Sequence, residues 1–142
     1  MIYTELTKKA ILIAYKAHKD QLDKSGMPYI LHPFHLAEQM KDEKTTIIAL
    51  LHDTIEDTYV TFDDLLKEGF EEDIIASLKL LTHDKSVPYM EYIKEIKSDE
   101  DATEVKKADL KHNSDLSRLS VITEKDLKRV EKYKKALEIL EN

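Results

Sequence analysis

An all-α fold of about eight helices is predicted from three observations. Only two glycines and three prolines interrupt 142 residues, so few positions force a turn. Charged residues make up 36% of the chain, which suits amphipathic helices with one solvated face. Apolar residues recur at helical spacing along most of the length, and no segment alternates as a half-buried strand does.

The first helix is expected from about Glu5 to Leu22, with Leu6, Ala10, Ile13, Ala14 and Ala17 on one face and Thr4 as its cap. Asp23 to Leu31 reads as a loop, marked by Ser25-Gly26 and Pro28. Pro33 sits where a first helical turn tolerates a missing N–H, so a short helix follows. Glu43 to Glu56 is read as one helix. Thr61 caps Phe62 to Glu68, and Gly69 stops it. Glu71 to Leu81 carries Ile74, Ile75, Leu78 and Leu81 on one side. Pro88 opens a helix to about Lys97, and a long one is expected over Glu100 to Leu116. The last, Glu124 to Leu140, starts with Thr123 and Asp126 in a capping-box pattern.

Length favours one domain spanning residues 1–142, large enough for a real core. With no cysteine, neither disulfides nor a thiolate zinc site is available; this fits a reducing compartment, and a cytoplasmic location is expected. The N-terminal stretch carries lysines throughout, so neither a signal peptide nor a membrane span is expected. A net charge of −7 argues against a nucleic-acid partner. A small anionic substrate stays compatible if a metal and a few lysines supply positive charge locally. The sequence leaves homo-oligomerisation open.

Chemistry concentrates in Leu51-His52-Asp53-Thr54-Ile55-Glu56-Asp57-Thr58. If one helix holds through Asp57, His52, Asp53, Glu56 and Asp57 can address one small volume. Charges set in a buried helix need a partner, and a divalent metal is an economical one. Asp109 falls within the apolar stripe Val105, Ala108, His112 and Leu116, where a carboxylate must be protonated, paired or metal-bound. A salt bridge to Lys106 or Lys107 is the plainer alternative. His32, directly before Pro33, belongs at an element end that can project into a cleft.

His32, His52, Asp53 and Asp109 form a donor set suited to Mn²⁺, Fe²⁺ or Zn²⁺. Such an ion supplies a water nucleophile near neutral pH and polarises a phosphoryl oxygen. Glu56 and Asp57 are then left to orient that water or carry its proton. Hydrolysis at phosphorus is the predicted chemistry. His18, His35 and His83 are expected on surfaces or partly packed, Tyr89 and Tyr92 in the core. Lys106, Lys107, Lys111 and Arg118 are read as a solvated helix face, with help in attracting phosphate as the alternative.

Three blocks together resemble the HD superfamily of metal-dependent phosphohydrolases, in particular the hydrolase domain of RelA/SpoT-type alarmone enzymes and their small stand-alone relatives. They are Lys24-Ser25-Gly26-Met27-Pro28-Tyr29-Ile30-Leu31-His32-Pro33, then Leu51 to Thr58, then Lys107-Ala108-Asp109-Leu110-Lys111-His112-Asn113. The resemblance implies a helical HD-domain fold. It also implies a single divalent ion, usually Mn²⁺, held by His32, His52, Asp53 and Asp109, and a catalytic acidic pair, Glu56 and Asp57. Lys24 and Asn113 match positions that meet the nucleotide. The implied reaction removes pyrophosphate from the 3′ position of (p)ppGpp, and no separate synthetase domain is expected in a chain this short.

Two positions depart from the family pattern: Asp23 stands where an arginine meets the guanine, and Leu110 where an arginine follows the aspartate. They imply an intact metal centre with altered base recognition. Another nucleotide or phosphoester is therefore an alternative substrate. A metal- and nucleotide-binding module without turnover, or a metal-free helical scaffold, are alternatives of a different class.

Overall fold

Capping side chains mark out the helices of the computed structural model, which describes residues 1–142. There are nine: α1 Glu5–Ala17, α2 Leu31–Gln39, α3 Glu43–Leu51, α4 Thr54–Asp57, α5 Phe62–Lys67, α6 Glu72–Leu81, α7 Tyr89–Ile96, α8 Glu100–Asn113 and α9 Glu124–Glu141. Thr4, Asp42, Thr61, Asp99 and Thr123 each accept a hydrogen bond from a backbone N–H of the first turn they precede. Each such cap contributes on the order of 1 kcal/mol.

The centre of the molecule is α3, in which every residue from Thr45 to Leu51 is buried. Helices α1, α2, α6 and α8 pack around it. Its near-uniform apolarity therefore reflects its position: no face of it meets water. The core extends through Leu36, Ile74, Leu78, Ile93, Ile96 and Val105 to Leu140 on α9. No helix is long and apolar enough to cross a membrane.

Three expected boundaries differ. The helix from Glu43 does not run on to Glu56. It ends at Leu51, and Thr54–Asp57 forms a separate single turn. Side-chain donors occupy the carbonyls that the ladder would use. His52 Nδ1 donates to the Ala49 carbonyl at 2.6 Å, and Thr54 Oγ1 to that of Leu51 at 2.8 Å. The first helix stops at Ala17, not Leu22. Residues beyond it turn back on themselves, with Tyr29 N donating to the Gln21 carbonyl at 2.8 Å and Asp23 N to that of Met27 at 2.8 Å. Gly26, at φ 83°, makes this turn in the left-handed region. The long helix ends at Asn113, not Leu116: Ser114 N and Oγ both donate to the Leu110 carbonyl, at 3.0 Å and 2.7 Å, and Asp115 N then turns to the His112 carbonyl at 3.2 Å.

Candidate active site

The break after Leu51 is what shapes the site. It presents His52 and Asp53 from the end of α3 toward His32 in the first turn of α2 and Asp109 in the middle of α8. One donor atom from each of these four residues lies within 4.8 Å of the others. His32 Nε2 is 2.8 Å from Asp109 Oδ1 and 3.9 Å from Asp53 Oδ2. His52 Nε2 is 3.0 Å from Asp53 Oδ2 and 3.5 Å from Asp109 Oδ1.

Several features fit a divalent ion. With its Nδ1–H committed to Ala49, His52 turns its other ring nitrogen inward, and that buried Nε2 has no hydrogen-bond partner. An ion about 2.1 Å from two adjacent donors holds them roughly 3 Å apart, close to the separations seen. Two imidazoles and two carboxylates are a suitable donor set. An outer ring of contacts aims each donor. The Tyr29 hydroxyl donates to Asp53 Oδ2. Lys106 Nζ lies 2.9 Å from Asp109 Oδ2, and Asn113 Nδ2 donates to Asp109 Oδ1 at 2.9 Å. His112 Nδ1 sits 2.7 Å from His32 Nδ1.

The charges are mutually adjusted. Burial works against a charged Asp109, but Lys106 and the two histidines outweigh it and hold the carboxyl well below its ordinary range. Burial likewise opposes ionisation of Asp53, and His52 overcomes it, holding the carboxyl at about 2. Burial disfavours the His52 imidazolium, yet Asp53 and Asp109 raise its pKa well above the usual value. His112 is pushed down to about 4 by burial and then by His32, so it is neutral near pH 7. A neutral His112 can accept the Nδ1–H of His32, leaving His32 Nε2 free to ligate.

Glu56 and Asp57 stand on the single turn α4 at the rim. With Asp53 they form a second close group of carboxylates. Glu56 Oε1 accepts the backbone N–H of His83 at 2.8 Å, which ties the segment after α6 to the site. Asp57 is pushed up to about 6 by partial burial and then by the charges of Asp53 and Glu56. A carboxyl there can take up and release a proton near neutrality.

Lys24 does not join this cluster. It lines a neighbouring cleft of about 320 Å³ together with Asp23 and Asn113. Asn113 belongs to both places, since it also lines the cleft of about 240 Å³ that exposes Asp53 and Asp109 of the donor set.

Other sequence readings need correction. Lys106 is not on a solvated face. Its side chain is only 13% exposed, and its ammonium lies 5.3 Å from the Tyr92 ring centroid in the wall of the smaller cleft. Its bond to Asp109 and the approach of the histidines to Asp109 occur together, through different oxygens. His18 is buried, 1% exposed, against the Tyr29 ring, with Nδ1 bound to Gln21. His35 is exposed, as expected, and stacks on His112. Tyr92 is in the core as expected, donating to the Leu81 carbonyl, but it and Tyr89 also line the smaller cleft. For Lys106, its place one turn before Asp109 was the available signal; Tyr29 and His112 reach Asp53 and His32 across the fold, where local spacing carries no signal.

A family model described as HD domain matches residues 10–136. The chain belongs to that family. It is 37% identical over 91 residues to a guanosine-3′,5′-bis(diphosphate) 3′-pyrophosphohydrolase of Aquifex aeolicus, covering 61% of this chain and 13% of that one. It is 42% identical over 78 residues to the protein of the same name from Borreliella burgdorferi, covering 52% and 12%. The chain thus spans about an eighth of the length of these relatives. In fold it matches a solved structure of a metazoan SpoT orthologue that hydrolyses ppGpp, with a TM-score of 0.79 at 24% identity, over 99% of this chain and 88% of that one.

Proposed function

We propose that this chain acts as one HD-type unit and removes the 3′-pyrophosphate from a (p)ppGpp-like nucleotide with the help of one divalent ion, Mn²⁺. The observation that carries the reading is the convergence of four donors around a buried His52 Nε2 that faces two carboxylates without a well-aligned hydrogen bond to either. The names of relatives sharing 37% and 42% identity support the choice of substrate. The same proposal makes a small anionic nucleotide the partner and the cytoplasm the place of action.

His32, His52, Asp53 and Asp109 hold the ion. Bound there, it supplies Lewis acidity toward a phosphoryl oxygen and a water nucleophile near pH 7. Glu56 and Asp57 orient the water and accept its proton as its oxygen bonds to phosphorus. The bond between phosphorus and the 3′ oxygen breaks, and that oxygen takes up a proton. Lys106, beside Asp109 in the cleft wall, adds positive charge where phosphoryl charge develops. Lys24 and Asn113 contact the part of the nucleotide that does not react.

The test is incubation of the purified chain with Mn²⁺ and ppGpp, scored by pyrophosphate. Release that stops on chelation is the expected result. Absence of release at micromolar enzyme contradicts the alarmone reading. Turnover of a different nucleotide in the same assay moves the activity to the second reading, a phosphohydrolase with another substrate, which Asp23 and Leu110 favour.

A further inference from the structure

The larger cleft meets the smaller one along a shared wall of Tyr29, Asn113 and Tyr133. A ligand whose phosphoryl group reaches the four donors therefore extends its remainder into the larger cleft. At about 320 Å³, that space is at the lower end for small-molecule sites. Its walls combine apolar Leu22, Leu116 and Leu119 with the cationic side chains of Lys24, Arg118 and Arg129.

The loop carboxylate at its mouth is fully engaged. Asp23 Oδ1 accepts from Ser25 N at 2.9 Å, Ser25 Oγ at 2.6 Å and Met27 N at 3.0 Å. Asp23 Oδ2 pairs with Arg118 Nη1 at 3.3 Å, across 95 residues of sequence. Burial works against ionisation of Asp23, but these hydrogen bonds outweigh it and keep the carboxyl below its ordinary range. Asp23 is thus a structural acceptor in its own loop and a tether for Arg118.

The two arginines differ in what they have left to offer. Arg129 is bound to Asp126 on its own helix, and its side chain is 19% exposed. Arg118 is held through Nη1 alone, and its side chain is 36% exposed. A guanidinium has five N–H donors and a planar face, so most of Arg118 is available to a ligand. The short turn carrying it is fixed by Leu119 N donating to the Leu116 carbonyl at 3.1 Å and by Ser117 N donating to Asp115 Oδ1 at 2.9 Å. Apolar walls beside a tethered planar cation suit a flat aromatic ring, and a two-ring base covers more of both than a one-ring base.

We propose that Arg118, positioned by Asp23, is the residue on which the purine base of a nucleotide stacks, and that this pair sets base preference. The inference rests on the functional reading above for the location of the reacting phosphoryl group. It is testable by binding alone.

The experiment measures equilibrium binding of GDP, UDP and inorganic pyrophosphate to the full chain with Mn²⁺, for wild type, Arg118→Ala, Arg118→Lys and Asp23→Asn. Wild type is expected to bind GDP more tightly than UDP. Arg118→Ala weakens GDP about 10-fold, the loss of one stacking contact, and leaves pyrophosphate within about 2-fold. Arg118→Lys keeps the charge without the planar face and recovers less than half of the loss. Asp23→Asn weakens GDP by a smaller factor. An equal loss for GDP and pyrophosphate assigns Arg118 to phosphate and overturns the proposal, as does no loss for either. Failure of wild type to bind any nucleotide also overturns it. If nucleotides bind with this pattern but ppGpp is not hydrolysed, the base site stands and the hydrolase reading fails.

Discussion

The two clefts that meet at Tyr29, Asn113 and Tyr133 are built from different material. The smaller one opens onto a donor set drawn from α2, the end of α3 and α8, packed helices whose buried faces leave each side chain little freedom, with Asp53 and Asp109 in its lining. His32 and Asp109 are 4% and 6% exposed at their side chains, and each has partners beyond the other. The larger one is bordered by the loop after α1 and the segment between α8 and α9, with Leu22 and Arg118 open to solvent. On the proposed function, helices hold the donor set and loops border the space for the rest of the ligand. Substitutions in the loops can therefore change ligand preference without disturbing the donor set. Asp23 is one such change, already accommodated by its own hydrogen bonds.

That contrast can be broken or sharpened by experiment, beginning where the effect is largest. Asp109→Ala removes a donor and strands Lys106. Breaking a buried pair this way costs about 3–5 kcal/mol, and ion affinity is expected to fall beyond the roughly 10–100-fold typical of losing an outer contact. Thermal melts and metal content of the variant check both. His112→Ala removes only the partner of His32 Nδ1, so Mn²⁺ affinity should drop by about 10–100-fold with the fold intact. Calorimetric titration measures it; affinity equal to wild type would show that His112 does not aim the ligand. Arg118→Ala should leave Mn²⁺ affinity within about 2-fold, because the only side chain Arg118 bonds is Asp23 and it touches none of the four donors. A larger change would mean the clefts are one coupled unit.

The smallest expected effect is on stability in acid. Asp126 completes the capping box of α9, which carries Arg129 and Tyr133 to the larger cleft. The Thr123 backbone N–H, and then Arg129, hold its carboxyl at about 2. Its folded pKa lies below the unfolded value near 3.8, so its contribution is complete above pH 4 and is lost as pH falls toward 2. The stability difference between wild type and Asp126→Asn, followed by denaturant titration, should shrink over that window. A difference that stays constant down to pH 2 argues against the cap.

Much of the fold was readable because its signals are local. Thr4, Thr61 and Thr123 cap the helices they were expected to start, the last with Asp126 in a capping box. The grouping of His32, His52, Asp53 and Asp109 was expected from residue type and burial pattern, and their donor atoms do converge. What escaped was decided by side chains competing for backbone carbonyls. His52 and Thr54 split one expected helix into α3 and α4, and helical periodicity carries no mark of that. Lys106 escaped for a related reason: a lysine beside Lys107 looks solvated until its partner Asp109 is known to be buried. The tie between Asp23 and Arg118 joins loops 95 residues apart, beyond any local pattern.

The central claim is that four side chains hold one divalent ion at the end of α3. Titration of the metal-stripped chain with Mn²⁺, followed by electron paramagnetic resonance, tests it directly. One tight site per chain, abolished by His52→Ala and by Asp109→Ala in protein that is still folded, is the predicted result. No tight site in wild type, or a site that survives both substitutions, would contradict it.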